Sequence, residues 1–364
     1  MPCVEVIQDC QFGSTGKGLF AGFLASAHQP DVLAMAPSPN AGHTLIMPNG
    51  KRFIHRMLPL GFQSPKLKHI VLGPGSLIDL DALLDELYAL KDFGHLDLTF
   101  QIDIHKNAAV VLDRHREAES NGGTAPGSTR KGVGAAQANR VLRNPKMSNI
   151  ISAIPQDHAA FSHIRLIDTA QMQRIYLEAD TIQVEGCQGY SLSVYHGDYP
   201  HVTCRDVTVY SLLADCGIPV CSQRQLRIYG VFRTYPIRVA NRPASGEWSG
   251  PTYPDSHEIS FESLGRPQEL TTVTQLPRRI FTFSQEQAIE ACVQNRVDFA
   301  FLNFCNYPPT WKELKDIWLR LSESTMVRYV GFGPRLSDVF RIGAPGLADA
   351  HLQDIYDNYR RTAK

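Results

Sequence analysis

A lysine set in a glycine-rich turn and a histidine that follows a second glycine are the residues here whose types and spacing suit phosphate chemistry. The run Val6-Ile7-Gln8-Asp9-Cys10-Gln11-Phe12-Gly13-Ser14-Thr15-Gly16-Lys17-Gly18 reads as a strand, a Gly-rich turn and the start of a helix. Such a turn presents backbone N–H groups at a helix N-terminus, where orphan donors and the helix dipole favour an anion, and Lys17 adds a mobile cation. It departs from a Walker A loop, because Gln11 stands where the first glycine belongs and Gly18 replaces the Ser/Thr that holds magnesium. Read alone, the segment is equally a phosphate cradle or a plain turn. The second segment, Pro39-Asn40-Ala41-Gly42-His43-Thr44, supplies an imidazole. In isolation His43 reads more often as a structural loop histidine than as a stabiliser of developing charge. The eight cysteines form no C-x-x-C pair and no His-Cys cluster at zinc spacing, so they read as reduced core thiols.

Groups of this kind need a rigid frame, and the hydrophobic pattern supplies one. Apolar runs of strand length at residues 4–10, 31–36, 69–72, 181–185, 299–304 and 326–331 alternate with amphipathic stretches at 19–28, 80–90, 207–216 and 311–321. That alternation predicts an α/β fold with a large, mostly parallel central sheet flanked by helices. The Gly-, Pro- and Ser-rich stretches 121–134 and 241–256 read as functional or disordered loops rather than interdomain linkers, so residues 1–364 are expected to form a single domain. Lys plus Arg equals Asp plus Glu at 36 each, which leaves no overall field to hold a nucleic-acid backbone; no nucleic-acid partner is expected. The first residues lack a basic, apolar leader, and no run reaches about 18 apolar residues, so neither a membrane partner nor export is expected and the location is read as cytoplasmic.

Taken together, G-x-x-G-K-G at residues 13–18 and N-A-G-H-T at 40–44 resemble the adenylosuccinate synthetase family. Further similarities follow in chain order. Gly127-Ser128-Thr129-Arg130-Lys131-Gly132-Val133-Gly134 is similar to the family's G-T-T-G-R-G-I-G loop, and Arg143 falls where its dimer-crossing arginine would be. Glu185-Gly186-Cys187-Gln188-Gly189 resembles E-G-A-Q-G, Tyr199-Pro200-His201-Val202-Thr203 resembles Y-P-Y-V-T, and residues 271–279 take the place of the aspartate loop.

The resemblance implies a P-loop-like synthetase fold with loop insertions, and a ligase that moves the γ-phosphoryl group of a nucleotide onto a purine 6-oxygen before aspartate displaces phosphate. It implies catalytic roles for Ser14, Lys17, His43 and Gln188: Lys17 and Mg²⁺ on the transferring phosphoryl group, His43 on the bridging oxygen, and Gln188 orienting the base. The triphosphate would be held by Gly13, Thr15, Gly16, Lys17, Gly18, Gly42, His43, Thr44, Arg278, Asn303, Cys305, Gly331 and Gly333. The acceptor monophosphate would meet Ser14, Asn40, Ser128, Thr129, Gln188, Thr203 and Arg143 donated by the other subunit of a homodimer. L-Aspartate would meet Thr272, Val273, Thr274, Gln275 and Arg278, and the metal Ser14 and Gly42.

Three positions depart from the ordinary family pattern. Ser14 replaces the Asp that serves as base and magnesium ligand, Leu276 stands where an Arg reaches the ribose 2′-hydroxyl, and Cys305 stands where an Asp reads the donor guanine. A serine beside N1 and C2 leaves room for an exocyclic 2-amino group that a carboxylate would crowd. With Leu302-Asn303-Phe304-Cys305-Asn306-Tyr307, these departures resemble the family's bacteriophage branch of 2-aminoadenylosuccinate synthetases. That branch joins dGMP and L-aspartate with ATP or dATP, making a precursor of diaminopurine DNA, which would place the chain in the host-cell cytoplasm if phage-encoded. The alternatives are an ordinary synthetase using IMP and GTP, or a catalytically silent nucleotide-binding protein. The replacement for the missing base stays open between Ser14 relaying through water and direct transfer to a phosphate oxygen.

Overall fold

The computed structural model describes residues 2–92, 100–121, 127–220, 224–241, 248–271, 275–343 and 348–362. Ten strands form one sheet, in the order Val339–Arg341, Met326–Gly331, Phe299–Asn303, Gln225–Arg233, Cys3–Asp9, Thr181–Gly189, Val32–Met35, His69–Leu72, Gln101–His105, Arg165–Ile167. Every pairing is parallel except that of the edge strand Val339–Arg341. The predicted α/β class and mostly parallel sheet are what the chain adopts.

The strand Cys3–Asp9 is buried along its whole length because helices cover both faces of the sheet's centre. Its residues alternate between those faces, as the two-residue period of a strand requires. Val4 and Val6 pack with Met172, Ile175, Leu212 and Leu213, from helices Thr169–Glu178 and Val209–Cys216. Ile7 packs on the other side with Leu19, Phe20 and Leu24 of helix Lys17–His28. Phe20 fixes that helix to the sheet: its ring stacks on Phe301 at 4.5 Å and meets Tyr229 and Tyr329 edge-on at 5.6 and 5.2 Å.

The register places the carboxyl ends of Cys3–Asp9, Thr181–Gly189, Gln225–Arg233 and Phe299–Asn303 side by side. Loops that leave adjacent parallel strands at one end converge there, which is where open α/β sheets build their sites. A hairpin of His43–Ile46 and Arg52–His55 lies over helix Lys17–His28, and a smaller antiparallel sheet joins Ile237–Val239, Arg278–Phe281 and Glu258–Ile259. Among the described residues no helix is long and apolar enough to cross a membrane.

Candidate active site

The Gly-rich turn is shaped from beneath by Asp9, the last residue of the central strand. Its Oδ1 accepts from the N–H groups of Gln11 at 3.0 Å and Gly13 at 3.2 Å, and its Oδ2 accepts the Thr15 hydroxyl at 2.6 Å and the Thr15 N–H at 3.4 Å. Burial pushes this carboxyl above its ordinary range, opposed by Lys17 and by the bonds from Thr15 and Gln11. Gly16 follows in the left-handed region at φ 88°, and a Cβ there would meet Asn303 Nδ2 at 2.0 Å, so the turn closes only with glycine. No side chain caps the helix that begins at Lys17, which leaves its first N–H groups to a ligand.

Asn303 braces this turn from the next strand but one, donating Nδ2–H to the Thr15 carbonyl at 3.0 Å. Gly189 braces it from the other side, where a Cβ would meet Gly13 N at 2.2 Å. Ser14, at φ 57°, is exposed, and its carbonyl accepts from Arg233 Nη1 at 3.3 Å. Arg233 is wholly buried; it pairs with Glu269 at 2.7 Å and lies 3.8 Å from the Phe304 ring centre. Burial alone would raise the Glu269 carboxyl, but Arg233, the Tyr307 hydroxyl and Arg278 together bring it down to about 2.

Lys17 meets His43 across this turn. Its Nζ lies 3.1 Å from His43 Nε2, and His43 Nδ1 lies 2.6 Å from Glu185 Oε1. An ammonium only donates, so Nε2 accepts and the ring proton sits on Nδ1, pointing at the carboxylate. Gln188 donates its amide to Asn40 Oδ1 at 2.9 Å, and Ser38 bonds to the same oxygen at 2.7 Å.

These groups open on one cavity of about 720 Å³. Gly13, Ser14, Thr15, Gly16, Lys17, Gly18, Asn40, Gly42, His43, Thr44, Ser128, Thr129, Gln188, Thr203 and Arg278 line it, as do Asp9, Arg238 and Phe304. The structure does not bring every sequence-predicted residue to that wall. Asn303 stands behind the turn, with Gly331 packed against its amide, and Gly333 packs on Asp338. Cys305 is buried in the core with its thiol on the Leu302 carbonyl. Gln275 is exposed beside Thr271, and Arg143 is exposed at the end of helix Val133–Leu142. Thr272, Val273 and Thr274 lie outside the described residues.

Among the described residues no group of three or more His, Cys, Asp or Glu could hold a metal ion. Asp9 is already engaged by four donors; Ser14 and Gly42, the residues expected to hold a metal, both line the cavity and carry a hydroxyl and a carbonyl oxygen. Two hard oxygens suit Mg²⁺, which dehydrates reluctantly and takes much of its shell from substrate phosphates. Sequence reasoning passed over Asp9, Glu185, Arg233 and Glu269 as functional groups. Asp9 and Glu185 sit inside the glycine-rich motifs themselves, and the signal was a carboxylate at the carboxyl end of an apolar run. Arg233 and Glu269 carry no local signal, because their pairing joins segments 36 residues apart.

A strand, phosphate turn and helix facing a histidine hairpin define a nucleotide-dependent ligase fold, and the comparisons agree. The family model described as adenylosuccinate synthetase matches residues 6–158 and 155–315, so the chain belongs to the adenylosuccinate synthetase family. Within it, the chain is 52% identical over 357 residues to the N6-succino-2-amino-2′-deoxyadenylate synthase of Cyanophage S-2L, covering 98% of this chain and 96% of that protein. It is 42% identical to the enzyme of the same name from Salmonella phage PMBT28, covering 92% of this chain and 96% of that protein. The solved structure of the Cyanophage S-2L succinoaminodeoxyadenylate synthetase, PurZ, bound to dGMP and to dATP as an energy donor, superposes with a TM-score of 0.93 at 51% identity, covering 99% of this chain and 100% of that one.

Proposed function

We propose that this chain condenses dGMP with L-aspartate, using dATP or ATP, to give N6-succino-2-amino-2′-deoxyadenylate. The observation that carries the reading is the meeting of Lys17 and His43 at 3.1 Å on the wall of a nucleotide-sized cavity whose phosphate turn carries serine instead of a carboxylate. In the first step the terminal phosphoryl group leaves the donor for O6 of the base, and the N1 proton departs as the ring becomes C6=N1. In the second the aspartate amine attacks C6 and phosphate leaves.

Both steps gather negative charge on oxygen, so groups fixed in advance to meet that charge stabilise the transition states. Lys17 is placed for the phosphoryl oxygens, together with the N–H groups of the turn. His43 is placed for the bridging 6-oxygen and Gln188 for the base. Mg²⁺, held by Ser14 and Gly42, would neutralise phosphate charge when bound. The exposed Ser14 hydroxyl leaves space beside the 2-amino group, and the N1 proton leaves through it and water or directly to a phosphate oxygen. In this reading Thr129 and Thr203 bind the 5′-phosphate, and Arg278 with residues 272–275 binds the aspartate carboxylates.

A homodimer completes this reading, with Arg143 reaching the phosphate of the partner's acceptor. Its support is an apolar patch beside Arg143, where Val141 and Leu142 are 66% and 75% exposed and Met147 is also exposed. Residues 1–364 are read as one domain, because one sheet takes strands from both halves of the chain. A site for small nucleotides supports a cytoplasmic setting, that of the host if the chain is phage-encoded.

The test is an assay of acceptor and donor pairs with product mass. Phosphate release that needs dGMP, aspartate and an adenine triphosphate together is the expected result. Equal turnover with IMP and GTP would favour the ordinary synthetase, and nucleotide binding without product the silent protein.

A further inference from the structure

The strand Thr181–Gly189 carries a carboxylate to which the proposed reaction assigns no task. Glu185 is wholly buried at the centre of the sheet, two residues beyond Gln183, which faces helix Lys17–His28 and donates to the Ala21 carbonyl at 3.1 Å. A buried carboxylate is costly unless its oxygens are met by donors. Glu185 has one for each oxygen: Oε2 accepts from the Leu60 N–H at 2.9 Å and Oε1 from His43 Nδ1 at 2.6 Å. Burial works against its charge, but His43, then Lys17 and Leu60 outweigh it and keep the carboxyl below its ordinary range.

We infer that Glu185 is a positioning residue for the reaction: it fixes the His43 ring through Nδ1 so that Nε2 faces the 6-oxygen. Three observations converge on this. The contact comes from behind, so it leaves Nε2 facing Lys17 and the cavity. The backbone bond from Leu60 holds the carboxylate itself, so the ring is oriented by a group that does not turn. The neighbouring imidazole does not take the carboxylate: both Glu185 oxygens are already met, and His55, opposite His43 in the hairpin, has both ring nitrogens buried without a hydrogen-bond partner.

In the resting protein Lys17 donates to Nε2, so the two catalytic side chains satisfy each other. Once the ammonium turns to the phosphoryl group, Nε2 is released toward the 6-oxygen while Glu185 still holds Nδ1. A glutamine keeps the shape but supplies only one acceptor, and so turns an N–H toward either the Leu60 N–H or His43 Nδ1.

The experiment compares wild type, Glu185→Gln, His43→Asn and the double variant with dGMP, aspartate and dATP, reading kcat and each KM separately. Glu185→Gln is expected to lower kcat roughly tenfold to a hundredfold, part of the factor a positioned acid supplies, with KM for dGMP and dATP within about twofold of wild type. In the His43→Asn background the same change is expected to cost little, since the carboxylate acts through the ring. An equal loss in both backgrounds, or an unchanged kcat, overturns the inference. Should Glu185→Gln fail to fold, Glu185→Asp, which withdraws the charge by one methylene, takes its place with the same outcomes. The inference rests on the proposed reaction, and the wild-type arm separates the two: no product from wild type sinks the reaction, whereas wild-type turnover with an indifferent Glu185 sinks only the positioning role.

Discussion

Ser14 is where substrate choice is most open to a single change. Its side chain is exposed on the cavity wall, and the nearest carboxylate of the turn, Asp9, faces inward with every oxygen engaged. Ser14→Asp is therefore expected to lower kcat/KM for dGMP about 10- to 100-fold, the range that one misfitting group in a pocket commands. Steady-state kinetics check this, and unchanged dGMP turnover removes the size argument. Lys17, His43 and Ser14 were legible in the sequence because each lies in a short motif bounded by glycines. Asp9 and Glu185 lie in motifs equally short, but each closes a buried run, and their importance is a matter of partners: three backbone N–H groups and a hydroxyl for one, an imidazole 142 residues away for the other.

At the level of elements, the strand Gln225–Arg233 shows why part of the fold was illegible. It pairs with the central strand over residues 225–231, yet Arg227, Gly230 and Arg233 break the apolar pattern that marks a buried strand. Those arginines are paired with distant carboxylates, half-buried Arg227 with Glu5 at 2.9 Å and buried Arg233 with Glu269 at 2.7 Å, which no local window reveals. The runs at 69–72 and 326–331, by contrast, became strands His69–Leu72 and Met326–Gly331 because they are mainly apolar.

The Arg233–Glu269 pair ties the Gly-rich turn to the segment just before residue 271, and its strength depends on pH. The Glu269 carboxyl sits at about 2 in the folded chain against 4.5 ordinarily, so its contribution is complete above the ordinary value and is lost as pH falls toward 2. Glu269→Gln is expected to cost about 3 kcal/mol near neutral pH. Denaturant titrations at about pH 6 and about pH 3 should show the gap to wild type narrowing in acid; a gap that stays constant refutes the linkage. Strand Phe299–Asn303 ends in a second test. Cys305 is buried in the core with its thiol pushed upward by burial, so Cys305→Asp should lower stability by about 3 kcal/mol or more. A lowered Tm with no gain of GTP use is the expected outcome, and GTP use at an unchanged Tm contradicts it.

For the whole molecule, the proposed dimer makes the apolar end of helix Val133–Leu142 part of the enzyme rather than its surface. A charge at Leu142 would be stranded in the interface, so Leu142→Glu is expected to give a monomer by sedimentation and to remove most activity by withdrawing the partner's Arg143 from the site. Full activity in a monomer of that variant excludes the shared site.

The position of Cys3–Asp9 in the middle of the sheet also bears on how the protein is born. That strand is made before both of its neighbours, Thr181–Gly189 and Gln225–Arg233, so its two edges are not both covered until the ribosome has released residue 233. At ordinary synthesis rates that is a wait of roughly 10 to 45 seconds, during which an apolar segment with open edges is prone to stray pairing. A nascent chain shorter than this has the Asp9 bonds that shape the turn but lacks the brace from Asn303 that secures it in the finished sheet.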